Sequence, residues 1–82
     1  MGGNRQISIK VSGIGVKVFG RLDSQNIELK FDTVLTIDEL KRRAGILPSK
    51  ACIVLANGRK VANGYTPNDG DEIKFLLPVS GG

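Results

Sequence analysis

The chain of 82 residues has no histidine, no tryptophan and a single cysteine. Without an imidazole it lacks the commonest general base and a frequent metal ligand, so a Ser-His-Asp triad cannot be assembled. One cysteine, Cys52, excludes an internal disulfide. It stands in the most apolar run of the chain with no histidine to activate it, and it reads as a buried structural residue. Aromatic residues are few: Phe19, Phe31, Tyr65 and Phe75. The three phenylalanines fall on strand-like apolar positions, which argues against a platform for stacking nucleic-acid bases. No apolar run approaches the length of a membrane-spanning helix, and no secretory leader is recognisable. Met1-Gly2 opens the chain, but Gln6 stands where a myristoylation motif needs serine or threonine. The cytoplasm is therefore the default location. Gly13-Ile14-Gly15 is not a nucleotide-binding loop, because no helix follows it. The expectation is a chain that is not an enzyme, with no catalytic residue, no metal and no bound cofactor.

What the chain does have is an unusual last segment, Pro78-Val79-Ser80-Gly81-Gly82, following the apolar run Ile73-Lys74-Phe75-Leu76-Leu77. Gly81 and Gly82 carry no side chain and reach backbone conformations closed to other residues. They suit a thin, flexible leash that can be threaded into a narrow active site, with the Gly82 carboxylate at its tip. The length supports one small domain. Residues 5–77 are expected to form it, residues 1–4 to be a disordered N-terminus, and residues 78–82 a flexible tail.

Periodicity divides the domain into elements. Ile7, Ile9 and Val11 alternate with polar residues as in a strand. The apolar phase then shifts to Ile14, Val16 and Val18, which predicts either one bulged strand or two strands joined at a turn around Ser12–Gly15. Arg21–Asn26 is a polar connection. Ile27, Leu29 and Phe31 alternate again, and an antiparallel hairpin with the first strand is expected. Thr36 and Glu39 form a capping box, with Leu35 and Leu40 placed for a hydrophobic staple. A helix over about residues 36–45 follows, with Ile37, Leu40 and Ala44 on one face and Gly45 as its stop. Ala51–Leu55 is continuously apolar and reads as a central strand buried on both faces. Asn57-Gly58 signals a type I′ hairpin turn, and Gly70 is expected at positive φ. The final strand, Glu72–Leu77, turns Ile73, Phe75 and Leu77 to one face. One short helix cannot cover both faces of a sheet, so the expected class is α+β: a curved mixed sheet of four to five strands with one main helix packed on one face.

The net charge is +4, yet the basic residues are scattered, and Lys41-Arg42-Arg43 is their one adjacent cluster. That trio suits a helix C-terminus and reads as a solvated face, with an acidic docking partner as the alternative. Asp69, Asp71 and Glu72 cluster, but they offer too few ligands for a calcium loop and lack its spacing. Turn chemistry accounts for them more simply.

The chain resembles the MoaD and ThiS families of ubiquitin-like sulfur carriers. The resemblance rests on Val16-Lys17-Val18-Phe19-Gly20-Arg21-Leu22, Thr36–Leu40, and Ala56-Asn57-Gly58-Arg59-Lys60-Val61. Its most specific parts are Asp69-Gly70-Asp71-Glu72-Ile73 and Leu77-Pro78-Val79-Ser80-Gly81-Gly82. It covers roughly residues 14–82, so Ile7–Ser12 form an added stretch before the first matching strand. It implies a ubiquitin-like β-grasp fold. It also implies that an E1-like enzyme uses ATP to adenylate the Gly82 carboxylate, and that a persulfide donor, a rhodanese or a cysteine desulfurase, converts it to a thiocarboxylate. Sulfur would then pass to an acceptor enzyme subunit in molybdopterin, thiazole or tRNA synthesis. In this reading Gly82 reacts and Gly81 is its sterically silent neighbour. Pro78, Val79 and Ser80 thread into the enzyme, while Phe75 and Leu77, with Pro78, border the docking surface. Two alternatives accompany it: a protein modifier conjugated through Gly82 to target lysines, and a non-covalent RNA-binding or scaffolding β-grasp module.

Overall fold

The computed structural model describes residues 6–23, 25–47 and 52–77. The expectations for residues 1–4 and for Pro78, Val79, Ser80, Gly81 and Gly82 lie outside the described residues. In chain order the elements are β1 (Ile7–Ile14), β2 (Lys17–Val18), β3 (Arg21–Leu22), β4 (Ile27–Phe31), α1 (Ile37–Ala44), β5 (Ile53–Ala56), β6 (Arg59–Val61) and β7 (Glu72–Leu76). Five strands form one mixed sheet in the order β4-β1-β7-β5-β6, and β2 and β3 form a separate two-stranded ribbon. β1 pairs with β4 antiparallel and with β7 parallel. β7 also pairs with β5 antiparallel, so it is the central strand.

Alternation puts Ile9 and Val11 of β1, Ile73 and Phe75 of β7, and Val54 and Ala56 of β5 on one buried face. Ile37, Leu40 and Ala44 of α1 join them in a single core. The helix begins as expected. The Thr36 hydroxyl accepts from the Glu39 N–H at 3.3 Å, and the Glu39 carboxylate accepts from the Thr36 N–H at 3.5 Å. Gly45 ends the helix in the left-handed region at φ 85. Asn57 and Gly58 both have positive φ, 52 and 83, as a type I′ turn requires. Gly70 has φ 90, as the sequence predicts.

The phase shift after Val11 resolves into two strands. β1 runs on to Ile14, Gly15 turns the chain at φ 73, and Lys17–Val18 begins the ribbon. The polar connection is thus partly structured, since Arg21 pairs with Val18 and Leu22 with Lys17. Phe19 occupies the ribbon's turn at φ 51 rather than a strand position. Its N–H donates to the Ala44 carbonyl at 2.8 Å, satisfying an acceptor that the last helical turn leaves open. The stretch Ile7–Ser12, an addition to the pattern of resemblance, is most of β1 and pairs on both sides.

Two expectations need correction. β5 is not the central strand and is not buried on both faces: Val54 and Ala56 are buried while Ile53 and Leu55 are half-buried. The single helix covers one face, so alternate residues of the apolar run remain on the open one. Cys52 precedes β5 and is half-buried, with Sγ 3.7 Å from the Ile53 carbonyl oxygen. Burial pushes its thiol pKa up, against the opposing charge of Lys41 and a backbone hydrogen bond from Leu76. Among the described residues no helix is long and apolar enough to cross a membrane.

Candidate functional site

β7 carries the chain from the buried centre of the sheet to the root of the C-terminal segment, and its two ends are built differently. At the start, Asp71 is buried with 8% of its surface exposed. Its Oδ1 accepts from Asn57 Nδ2 at 2.9 Å. Its Oδ2 accepts from Tyr65 Oη at 2.6 Å and from the Asn68 N–H at 2.9 Å. Desolvation pushes the Asp71 pKa up, but these three bonds to the ionised form outweigh it and hold the carboxyl below its ordinary range. The same bond to Asp71, aided by desolvation, raises the Tyr65 hydroxyl pKa. Asn57 also accepts from the Glu72 N–H at 2.9 Å through Oδ1. The Tyr65 carbonyl accepts from the Ile37 N–H at 2.8 Å. One carboxylate therefore ties the β7 start to the β5–β6 turn and, through Tyr65, to the helix N-terminus. Asp69 Oδ1 accepts from the Ser8 N–H at 2.8 Å, on the neighbouring strand. These are the structural roles that turn chemistry assigns to the acidic cluster. Among the described residues no three potential ligands lie close enough to hold a metal.

At the other end, the Leu77 N–H donates to the Ile14 carbonyl at 3.1 Å. This fixes the residue before Pro78 against the end of β1. Two glycines let the ribbon close over this point. A Cβ on Gly13 would lie 2.5 Å from Val18 Cγ2, and one on Gly15 would lie 3.0 Å from the Leu77 carbonyl oxygen. Asp23 Oδ1 accepts from the Gly15 N–H at 2.8 Å and secures the turn.

The surface around this root is apolar on two sides. Alternation sends Leu76 to the open face of the sheet, where Ile14 and Ile53 lie directly beside it in register. It sends Leu77 to the helix side. There Leu77 borders a depression of about 400 Å³, together with Val16, Lys17, Leu22, Ile46 and Leu47. Leu22 and Leu47 are 58% and 59% exposed, and Ile14 is 53% exposed. These large apolar side chains form an open apolar surface beside the root.

The expected docking residues divide. Leu77 is half-buried at the rim of the depression. Phe75 does not border a surface: it is fully buried at 0% exposure. The reason is parity, since Phe75 faces the helix from the middle of the central strand. Leu76, Ile14, Leu22 and Leu47 are exposed apolar or half-buried residues there that sequence reasoning passed over. Leu22 lay in a stretch read as polar connection, and its one available signal was its place as the last residue of the Val16–Leu22 segment of resemblance. The basic trio is partly engaged within the chain: Arg42 pairs with Asp38 at 3.1 Å, and Lys41 Nζ donates to Asn63 Oδ1 at 2.9 Å.

The profile of the ThiS family matches residues 16–82. That stretch takes in every element from β2 to β7 and the terminal glycines, while β1 lies before it. No curated protein matches the chain in sequence. Among solved structures, SAMP1 of Haloferax volcanii is 25% identical over 92% of this chain and 99% of its own, with a TM-score of 0.64. A Pyrococcus furiosus protein assigned as molybdopterin converting factor, subunit 1, is 19% identical over 89% of this chain and 99% of its own, with a TM-score of 0.63. The ubiquitin of Caldiarchaeum subterraneum is 18% identical over 95% of this chain and all of its own, with a TM-score of 0.61. The last two are likenesses of fold. A five-stranded mixed sheet crossed by one helix, with a family match reaching from the ribbon to Gly82, makes this chain a member of the ThiS family of ubiquitin-like β-grasp proteins.

Proposed function

We propose that the chain is a cytoplasmic sulfur carrier whose reacting group is the carboxylate of Gly82. A carboxylate is a poor acyl donor because its leaving group would be oxide. An E1-like enzyme supplies a better one: the Gly82 carboxylate attacks the α-phosphorus of ATP, pyrophosphate leaves, and an acyl-adenylate forms. The terminal sulfur of a persulfide on a rhodanese or cysteine desulfurase displaces AMP. A thiol then cleaves the resulting acyl disulfide, leaving a thiocarboxylate for an acceptor enzyme subunit. The chain presents its C-terminus and holds no cofactor of its own; the enzyme consumes the ATP. Gly81 keeps the approach to the reacting carbon unobstructed, and Pro78, Val79 and Ser80 thread the enzyme's channel.

The observation that carries this reading is the ThiS match through Gly82, joined to a β7 that is followed by a half-buried Leu77 at an exposed apolar rim. A second reading has support of its own. The likeness to SAMP1, and to a second Haloferax volcanii structure described as a small archaeal modifier protein, favours a modifier in which a lysine amine displaces AMP to form an amide.

The test is the intact mass of the chain after incubation with ATP, the E1-like enzyme and the sulfur donor of the same cell. A gain equal to one sulfur replacing one oxygen, confined to the Gly82 peptide and absent after deletion of Gly82, supports the carrier. No sulfur, but C-terminal peptides ending in Gly82 joined to lysines of other proteins, selects the modifier. Neither outcome with enzymes of proven activity removes both, and salt-dependent RNA binding that survives loss of Gly81 and Gly82 would put a binding module in their place.

A further inference from the structure

The chain contains the triplet Ala-Asn-Gly twice, as Ala56-Asn57-Gly58 and as Ala62-Asn63-Gly64, and Asp69-Gly70 follows. At each pair the backbone nitrogen of a glycine, unshielded by a side chain, can attack the side-chain carbonyl before it. The two triplets are equal as sequence, and the fold treats them differently. Asn57 has both side-chain polar atoms engaged: Nδ2 donates to the buried Asp71 at 2.9 Å, and Oδ1 accepts from the Glu72 N–H at 2.9 Å. Its own N–H donates to the Glu72 carbonyl at 2.8 Å. At Asp69 the nucleophile is occupied, because the Gly70 N–H donates to the Ser8 carbonyl at 2.7 Å, and Asp69 Oδ1 accepts from the Ser8 N–H at 2.8 Å. Asn63 and Gly64 stand exposed in a turn closed by the Tyr65 N–H, which donates to the Ala62 carbonyl at 3.1 Å. Among the described residues, neither the Gly64 N–H nor Asn63 Nδ2 has a partner. Asn63 Oδ1 accepts from Lys41 Nζ at 2.9 Å, and a Cβ on Gly64 would meet nothing within 4 Å.

We infer that Asn63-Gly64 is a site of spontaneous modification, where the fold permits the asparagine to close to a succinimide while it blocks the same reaction at Asn57 and Asp69. The inference is independent of the reading of Gly82. The Gly64 nitrogen gives its proton to a solvent base and forms a bond to Asn63 Cγ; the Cγ–Nδ2 bond breaks and ammonia leaves. Water then opens the ring at either carbonyl, giving aspartate or isoaspartate at position 63. Lys41 faces the oxygen on which negative charge develops during the attack, and a donor so placed stabilises that charge. The bonds that must open at Asn63 are exposed, and exposed bonds open locally at low cost. Asn57 must instead give up a hydrogen bond to a buried carboxylate. Both products find the new charge a partner. Aspartate puts it where Lys41 already donates. Isoaspartate converts the Asn63 carbonyl, which accepts from the Asp38 N–H at 3.1 Å in the first turn of α1, into the free carboxylate, a charge that a helix N-terminus favours. Either product keeps the fold and lowers the net charge of +4 by one.

The experiment uses the full-length wild type, held folded at neutral pH and, in parallel, unfolded in guanidinium chloride, with samples taken over time. Tryptic cleavage after Arg59 and Lys60 separates Asn57 from Asn63. Conversion of amide to acid is read at each by mass and fragmentation against the zero-time sample. In the folded chain Asn63 converts about tenfold faster than Asn57 or more, the factor that one retained hydrogen bond to a charged group imposes. In guanidinium chloride the native bonds are gone, and the two Ala-Asn-Gly sites convert within about twofold of each other. On cation exchange the folded wild type accumulates a less basic species. Asn63→Gln, which would have to close a larger and slower-forming ring, removes it. Three results overturn the inference. The first is equal conversion at Asn57 and Asn63 in the folded chain, including none at either over a period that converts the unfolded chain. The second is a ratio in guanidinium chloride as large as in the folded chain, which assigns the difference to local sequence rather than to the fold. The third is a less basic species that persists in Asn63→Gln, which places the modification elsewhere.

Discussion

The two ends of β7 are about five residues apart and follow opposite rules. At Glu72 the strand is entered through a buried carboxylate whose oxygens receive three donors. Past Leu76 it is left through half-buried and exposed leucines whose surface touches solvent. Buried polar groups are costly unless satisfied, so the first end is complete within the chain. Exposed apolar groups gain only when covered, so the second end is left open among the described residues. The difference separates residues whose loss should unfold the protein from residues whose loss should leave it folded.

The sharpest way to break this contrast is at the first end. Asp71→Ala strands the Asn57 amide, the Tyr65 hydroxyl and the Asn68 N–H, and is expected to destabilise the domain by about 2–3 kcal/mol, read from urea unfolding. Gly13→Ala tests how the second end is assembled. Its new methyl would meet Val18 at 2.5 Å, so about 1–3 kcal/mol of overpacking is expected, with the ribbon displaced from Leu77. A structure showing the ribbon in place at unchanged stability would mean that the ribbon does not need a glycine at position 13 to close.

Titration sharpens the comparison further. The folded pKa of Asp71 is lowered, so its contribution is present above the unfolded carboxyl value of about 4 and is lost as pH falls through the folded value. The folded pKa of Tyr65 is raised, so its contribution is present below the unfolded value of about 10 and is lost as pH rises through the folded one. One hydrogen bond thus shapes both limbs. Tyr65→Phe is expected to cost about 1 kcal/mol at neutral pH and to flatten the acid and alkaline limbs together. Flattening on one side alone would mean another group dominates that limb. The smallest stability effect belongs to the depression beside Leu77, where Leu22→Ser and Leu47→Ser should change unfolding free energy by no more than about 0.5 kcal/mol. A larger loss would make these leucines part of the core rather than open surface.

Much of this architecture is readable before folding. The helix needed only local rules, because Thr36, Glu39 and Gly45 act on backbone groups within one turn. The Asn57-Gly58 turn and Gly70 were legible for the same reason, since positive φ is a property of the residue and its neighbour. Parity along β7 was also readable, but its meaning was not. The alternation that groups Ile73, Phe75 and Leu77 does not say how far along the strand the helix reaches. Phe75 therefore looked like docking surface and proved to be core. β5 misled in the same way, because an apolar run carries no mark of which face lies open.

Residue order by itself determined the helix, the turns and the strand phases, all of which depend on steric and hydrogen-bonding preferences among near neighbours. Tertiary structure alone decided which strand is central and which leucines face solvent. It alone placed Leu22 and Leu47, 25 positions apart in the chain, around one depression beside Leu77. Those outcomes depend on what packs over each residue, and a sum of local preferences cannot specify a neighbour that arrives from elsewhere in the chain.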